Sequence, residues 1–307
     1  YGIKGFLVDE ENIYVAFSNQ VADRCFNVSI LKAPLNLEFL NFEEFFVPNE
    51  CIEINNDYGE YNASDSGGYL AEYDKDNFLF STGTFRYRDH AQDLESELGK
   101  ILLVEKSTGI SKILSYGHRN VQGIDFRPSD GRAFTAEHGP WQNDEITALV
   151  NGGNGGWDPR PNVGGRGDCP DKYCGYMPNQ KEGMLPAKRA QFMPMSDTRF
   201  SDLMPPAWNN NGLSQGTGSA AFLKGKNWGY WEGRMAVEIM GIGFGGTPSG
   251  MRIDVVDIAK DGQSIKSVIH MPTGLTKRFR GLRLGPDNAL YAAVDEGEIY
   301  KITATAK

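Results

Sequence analysis

The sequence predicts an all-β chain folded as a six-bladed β-propeller, and three observations carry that expectation. Apolar runs are short and strand-like, 37 glycines leave room for few long helices, and one hairpin unit recurs along the chain. The unit is a glycine, an alternating apolar strand, a polar turn, and a second strand that usually carries Tyr or Phe.

The first copy runs from Gly5 through the turn Asp9-Glu10-Glu11-Asn12 to Val15, and the second from Gly68 through Asp74-Lys75-Asp76-Asn77 to Phe80. A third, Gly123 to Phe134, matches a fourth, Gly281 to Tyr291, almost position for position, and a weaker copy begins near Gly218. A lone hairpin cannot cover its own apolar face. Periods of about 40 to 60 residues in an all-β chain therefore point to blades packed radially, roughly six in this length. A β-sandwich with coincidental hairpins is the competing arrangement.

Residues 1–307 read as a single domain, interrupted by a Gly- and Pro-rich segment over residues 151–211 that breaks the period. Such an excursion is either a functional loop on a rigid scaffold or an inert exposed insertion.

Composition narrows the function. Lys and Arg number 31 against 40 Asp and Glu, a net charge of −9, and no segregated basic stripe offsets it. Nucleic-acid binding is therefore not expected, since that affinity rests on cations that release condensed counterions. Apolar stretches such as Ile101-Leu102-Leu103-Val104 fall far short of the ~20 residues of a membrane-spanning helix, so no span is expected.

The four cysteines form a distant pair, Cys25 and Cys51, and a close pair, Cys169 and Cys174. A zinc site would want two short-spaced pairs or nearby histidines, and the four histidines lie well away from Cys169. Two disulfides are the preferred reading. They imply an oxidising compartment, periplasmic or extracellular.

Three polar clusters stand at strand ends. His118-Arg119-Asn120 precedes a repeat strand. About one blade later by pattern comes Glu137-His138-Gly139-Pro140, followed by Asp144-Glu145, an oxygen-rich turn of the kind that suits calcium. In Lys277-Arg278-Phe279-Arg280, strand alternation puts Arg278 and Arg280 on one face. With Arg119 they are suited to clamping a planar polyanion, while each arginine taken singly is as well explained by pairing with a surface carboxylate.

Taken together the motifs resemble the soluble pyrroloquinoline quinone (PQQ)-dependent sugar dehydrogenases, which are six-bladed propellers. The carrying motifs are Gly67-Gly68-Tyr69-Leu70, Ala91-Gln92-Asp93-Leu94 with Leu98-Gly99-Lys100-Ile101, Arg119-Asn120-Val121-Gln122-Gly123, Glu137-His138-Gly139-Pro140, and Arg278-Phe279-Arg280 before Gly285-Pro286-Asp287. The resemblance implies that Arg119 and Asn120 face the cofactor and reacting centre and that Arg278 and Arg280 neutralise the quinone's carboxylates. It implies further that the carbonyls of Gly139 and Pro140 ligate calcium, and that Lys224 or Lys226 supplies another cofactor cation. The expected partners are a small sugar or alcohol substrate and an external electron acceptor. Relative to the family, the chain starts about one blade's worth of strands late.

Two positions depart from the family pattern. Asp65 stands where the catalytic histidine is expected, and Thr84 stands where an acidic residue would orient that histidine. A carboxylate can also take a hydroxyl proton, so Asp65 is either the working base or a relic. These readings leave two functions: a PQQ-dependent sugar dehydrogenase with an altered base, or a catalytically silent propeller that binds a carbohydrate or a protein.

Overall fold

Each recurring hairpin opens a separate antiparallel sheet. The computed structural model describes residues 2–56, 59–60, 63–87, 89–140, 142–160, 194–241 and 250–304. The first sheet runs β1 (Ile3–Val8), β2 (Asn12–Ala22), β3 (Cys25–Pro34) and β4 (Glu43–Phe46), with β5 (Ile52–Glu53) also on β3. A two-stranded ribbon, β6 (Asn55–Asn56) and β7 (Gly59–Glu60), follows it.

The second sheet is the meander β8 (Gly67–Glu72), β9 (Asn77–Thr82), β10 (Lys100–Glu105) and β11 (Ser111–Tyr116). The third contains β12 (Val121–Phe126), β13 (Ala133–Glu137), β14 (Glu145–Ala148) and β15 (Pro206–Asn209). The fourth contains β16 (Thr217–Phe222), β17 (Met235–Ile239), β18 (Arg252–Ile258) and β19 (Ile265–His270), and the fifth β20 (Phe279–Leu284), β21 (Leu290–Val294) and β22 (Ile299–Ile302).

The described residues thus hold five blade-like sheets, not the six expected from length. The reason lies in the third sheet. Its third and fourth strands, β14 and β15, are joined across residues 149–205, so the excursion takes up the length allotted to a further blade. Within the segment read as aperiodic, Pro206–Asn209 is that sheet's fourth strand.

The polar turns have a common cause. Asp9 accepts the N–H groups of Glu11 and Asn12 at 2.9 and 2.7 Å, and Asp74 accepts those of Asp76 and Asn77 at 2.8 and 2.7 Å. Side-chain oxygens in this position close the turn between two strands and fix their register.

The chain divides into two compact units, Tyr1–Val121 with Val150–Leu203, and Gln122–Leu149 with Met204–Lys307. In the first, Tyr14, Ile30, Phe46, Phe78, Phe80 and Leu102 form one core. Strands β8, β9 and β10 are buried on both faces, which explains apolar runs such as Ile101 to Val104 that do not alternate. Burial of each such side chain stabilises by about 1.5 to 3 kcal/mol. In the second unit, one cluster gathers Phe134, Ile146, Phe222 and Val237, and another gathers Trp228, Ile253, Phe279 and Leu290.

Cys25 and Cys51 form the expected disulfide. Cys169 and Cys174 lie outside the described residues. No helix among the described residues is long and apolar enough to cross a membrane.

Candidate functional site

In the first unit, Asp65 sits on the approach to β8 in left-handed backbone, φ 52°, with Ala63 at 59° on one side and Gly67 and Gly68 at 64° and 98° on the other. A second approach, after β9, carries Phe85 and Arg86 at φ 50° and 67°. The two loops are stitched together: Gly83 N–H donates to the Ser66 carbonyl at 2.9 Å and Phe85 N–H to the Asp65 carbonyl at 2.8 Å. Only glycine fits at position 83, because a Cβ there would stand 2.0 Å from the Asp65 oxygen.

Arg119 and Asn120 reach the same place from the loop before β12. Arg119 Nη2 donates to Asp65 Oδ2 at 2.8 Å, with both side chains 9% exposed. Its guanidinium lies 5.9 Å from the ring centre of Trp157, which is fully buried. Asn120 Oδ1 accepts the Gly67 N–H at 3.1 Å and so holds the loop that carries Asp65. Arg86 Nε adds a third charge at 3.5 Å from Asp65 Oδ2. Thr84, fully buried, bonds the Arg119 carbonyl through its N–H at 3.0 Å. His118 is buried, with Nε2 2.9 Å from Ser115 Oγ.

Beneath the loop that follows Arg86 lies a lysine. Lys100 is fully buried, and its ammonium donates to the carbonyls of His90, Ala91 and Leu98 at 2.7, 3.2 and 2.7 Å. Three donors meet three acceptors, yet burial still pushes its pKa down to about 7.

In the second unit the Gly139-Pro140 turn follows β13. It lies one hairpin after β12, in the same sheet rather than a blade later. Asp144 builds it. Its carboxylate accepts from Gly139 N–H at 3.0 Å, Gln215 N–H at 2.9 Å, Thr217 N–H at 3.1 Å, Thr217 Oγ1 at 2.9 Å and Ser214 Oγ at 2.5 Å. A Cβ at position 139 would stand 1.7 Å from the Gln142 carbonyl, so the glycine there is obligatory.

Asp144 is consumed in holding the turn, and no cluster of three or more His, Cys, Asp or Glu exists among the described residues. Oxygen ligands offered by this turn are therefore backbone carbonyls rather than a carboxylate cluster. His138 beside the turn has Nε2 3.0 Å from Gln122 Oε1.

Arg280 on β20 and Arg278 just before it converge on one carboxylate. Arg278 Nε donates to Asp295 Oδ2 at 2.9 Å and its Nη1 to the Gly241 carbonyl at 2.9 Å. Arg280 bonds Asp295 through Nε and reaches the Met240 sulfur at 2.9 Å. The Arg280 and Arg278 guanidiniums hold the Asp295 carboxyl below its usual range. One carboxylate serves two cations, so a positive charge remains, which fits a carboxylate-bearing cofactor.

Lys224 is not brought to this cluster. It follows the far end of β16 from Thr217, roughly 20 Å of strand away, where it acts with Arg283 on the half-buried Asp125. Lys226 opens a 3-10 helix, Lys226–Trp231.

Sequence reasoning missed Arg86, Asp295, Lys100 and a fourth residue, Glu238 on β17. Glu238 is 1% exposed; its Oε1 accepts the Ser219 N–H at 2.8 Å while Oε2 has no partner among the described residues. Burial pushes its carboxyl up to about 8, against a smaller opposing pull from that N–H and from Arg280. The one available signal is Gly218, since a Cβ there would meet Glu238 Oε1 at 2.2 Å.

Known proteins resemble this chain over most of its length. The family described as glucose/sorbosone dehydrogenase matches residues 7–301. An aldose sugar dehydrogenase of Escherichia coli is 26% identical over 255 residues, spanning 77% of this chain but only 59% of that protein. Among solved structures, a glucose dehydrogenase superposes with a TM-score of 0.71 at 19% identity, covering 100% of this chain and 83% of that one. A PQQ-bound aldose sugar dehydrogenase of Streptomyces coelicolor gives 0.60 at 18% identity, covering 96% and 75%. The fold is thus an all-β propeller, and the chain belongs to the glucose/sorbosone dehydrogenase family.

Proposed function

We propose that this protein is a quinoprotein that oxidises a sugar or a related alcohol with PQQ and calcium and passes the electrons to a separate acceptor. When bound, PQQ supplies a two-electron acceptor. The observation that carries the reading is the Arg278–Arg280 pair sharing the single carboxylate of Asp295, with an uncompensated positive charge for a polyanionic cofactor. The carbonyls of Gly139 and Pro140 would hold the calcium, on a turn that Asp144 keeps rigid.

On the substrate side, Asp65 accepts the hydroxyl proton. Its Oδ2 is held by Arg119 and Arg86, while its Oδ1 takes no hydrogen bond from a described residue and is the atom available to a substrate. The Cys25–Cys51 disulfide supports a periplasmic or extracellular site of action.

Titrating purified protein with PQQ in the presence of calcium tests the proposal. Micromolar binding is expected, weakened at least tenfold by Arg280→Ala, because truncating one partner of a charged pair typically costs about 2 to 5 kcal/mol. No binding by wild type at high micromolar PQQ would defeat the reading. One observation favours a second function, a silent sugar- or protein-binding propeller: the residue at the base position is already the counter-ion of two arginines.

A further inference from the structure

Glu238 on β17 is a buried carboxyl that the chemistry just proposed does not use. It is seated where a side chain is missing, since a Cβ on Gly218 would stand 2.2 Å from its Oε1. That oxygen accepts the Ser219 N–H, and Ser219 Oγ in turn accepts the Leu282 N–H at 3.0 Å and donates to the Leu282 carbonyl at 3.2 Å. The carboxyl thus lies at the seam between β16 and β20, the strand that carries Arg280. Its Oε2 is buried with no partner among the described residues, an arrangement proteins rarely keep without a use for it.

Few charges face this carboxyl. Thr217–Phe222 of β16 carries none, and Glu238 is the one ionisable residue of β17. Its partner on β18 is Ile253; Arg252 and Asp254 belong to the opposite face, where they pair at 2.8 Å. From β20 and the turn after β21, Arg280 and Asp295 act on it. Lys277 is drawn instead to Glu296 and Glu298 at 3.5 and 3.2 Å, and Arg283 acts on Asp125. Apart from Asp295, Arg278 and Arg280 bond only neutral groups of Met240 and Gly241 among the described residues. With Glu238 protonated, the two arginines and Asp295 keep one positive charge in excess. An ionised Glu238 cancels it.

We propose that Glu238 is a positioning residue of the Arg278–Arg280 site, which takes its polycarboxylate together with the proton that Glu238 holds and releases the anion when Glu238 ionises. The inference rests on the reading of this site as the cofactor's and adds its proton linkage. A bound polyanion beside Arg280 disfavours a second negative charge in the seam, so binding draws a proton onto Glu238. Burial already pushes the carboxyl up to about 8, and affinity should fall as pH rises through that value.

Calorimetric titration with PQQ at constant calcium, at about pH 6 and about pH 9, tests this. The wild-type dissociation constant is expected to rise about tenfold between the two, as the neutral form drops to about a tenth. Glu238→Gln, which cannot ionise, should vary less than about twofold over the same range. Titration of wild type at about pH 8 in two buffers of different ionisation enthalpy should show uptake of about half a proton, a readout that needs no variant. PH-independent binding by wild type without proton uptake, or an equal pH dependence in Glu238→Gln, would overturn the proposal and leave the cofactor reading intact. If PQQ does not bind, benzene-1,3,5-tricarboxylate is the probe: pH-linked binding abolished by Glu238→Gln upholds the proposal against the cofactor reading, and failure of both anions to bind overturns it.

Discussion

Two aspartates in this molecule each serve a pair of arginines, Asp65 with Arg86 and Arg119 in the first unit and Asp295 with Arg278 and Arg280 in the second. The compositions are the same, yet the settings differ. Asp65 and Arg119 are 9% exposed, and Asp65 sits in left-handed backbone held by cross-bonds. Asp295, Arg278 and Arg280 are 35%, 27% and 49% exposed, with Arg280 on β20 and Arg278 just before it. Burial thus decides the energetic weight of an ion cluster, because water replaces a lost partner at the surface and cannot do so inside.

The sharpest way to break this comparison is Asp65→Asn. It removes the charge that the buried Arg119 guanidinium faces at 2.8 Å and should lower the unfolding free energy by about 3 kcal/mol, read from urea denaturation. If Asp65 is also the base, dye reduction by the PQQ-loaded protein should fall by at least about 10²-fold. Turnover that survives the change would remove Asp65 from the chemistry.

A second comparison sharpens the first, since each unit also buries a titratable group. Glu238, shifted up to about 8, keeps a proton that the unfolded chain releases near its ordinary 4.5. Stability from this group is therefore lost as pH rises through that window. Lys100, shifted down to about 7 from 10.5, has released a proton that the unfolded chain still holds, so its contribution rises with pH above 7. Glu238→Gln should flatten the acid-side limb, and its melting temperature relative to wild type should be higher at about pH 8 than at about pH 5. A constant offset across that range would show that Glu238 stays ionised.

The smallest effect is expected at Asp295. Asp295→Asn should change stability by no more than about 1 kcal/mol, because the cluster is half open to water. It should also strengthen PQQ binding, since it leaves both guanidiniums uncompensated. A loss as large as that at Asp65 would erase the distinction between the two clusters.

Much of the fold was legible in the sequence. The Gly, strand, turn, strand unit marked the first hairpin of all five sheets, and Arg278 and Arg280 met at one carboxylate as their spacing of two implied. The blade count was not legible, because chain length does not distinguish a blade from the long connection between β14 and β15. Lys224 was named on resemblance alone, and only the structure shows that it follows the end of β16 opposite Thr217.

By itself the sequence determined the local and periodic features of this protein: alternating strands, aspartate-closed turns, and glycines where backbone must pass close to backbone. Only the tertiary structure decided which charges meet. Arg86, Asp65 and Arg119 come from three loops and converge through backbone bonds and left-handed dihedrals that no spacing rule encodes. Lys100 and Glu238 read as ordinary charged residues until burial removes their water, and burial is a property of everything packed around a residue.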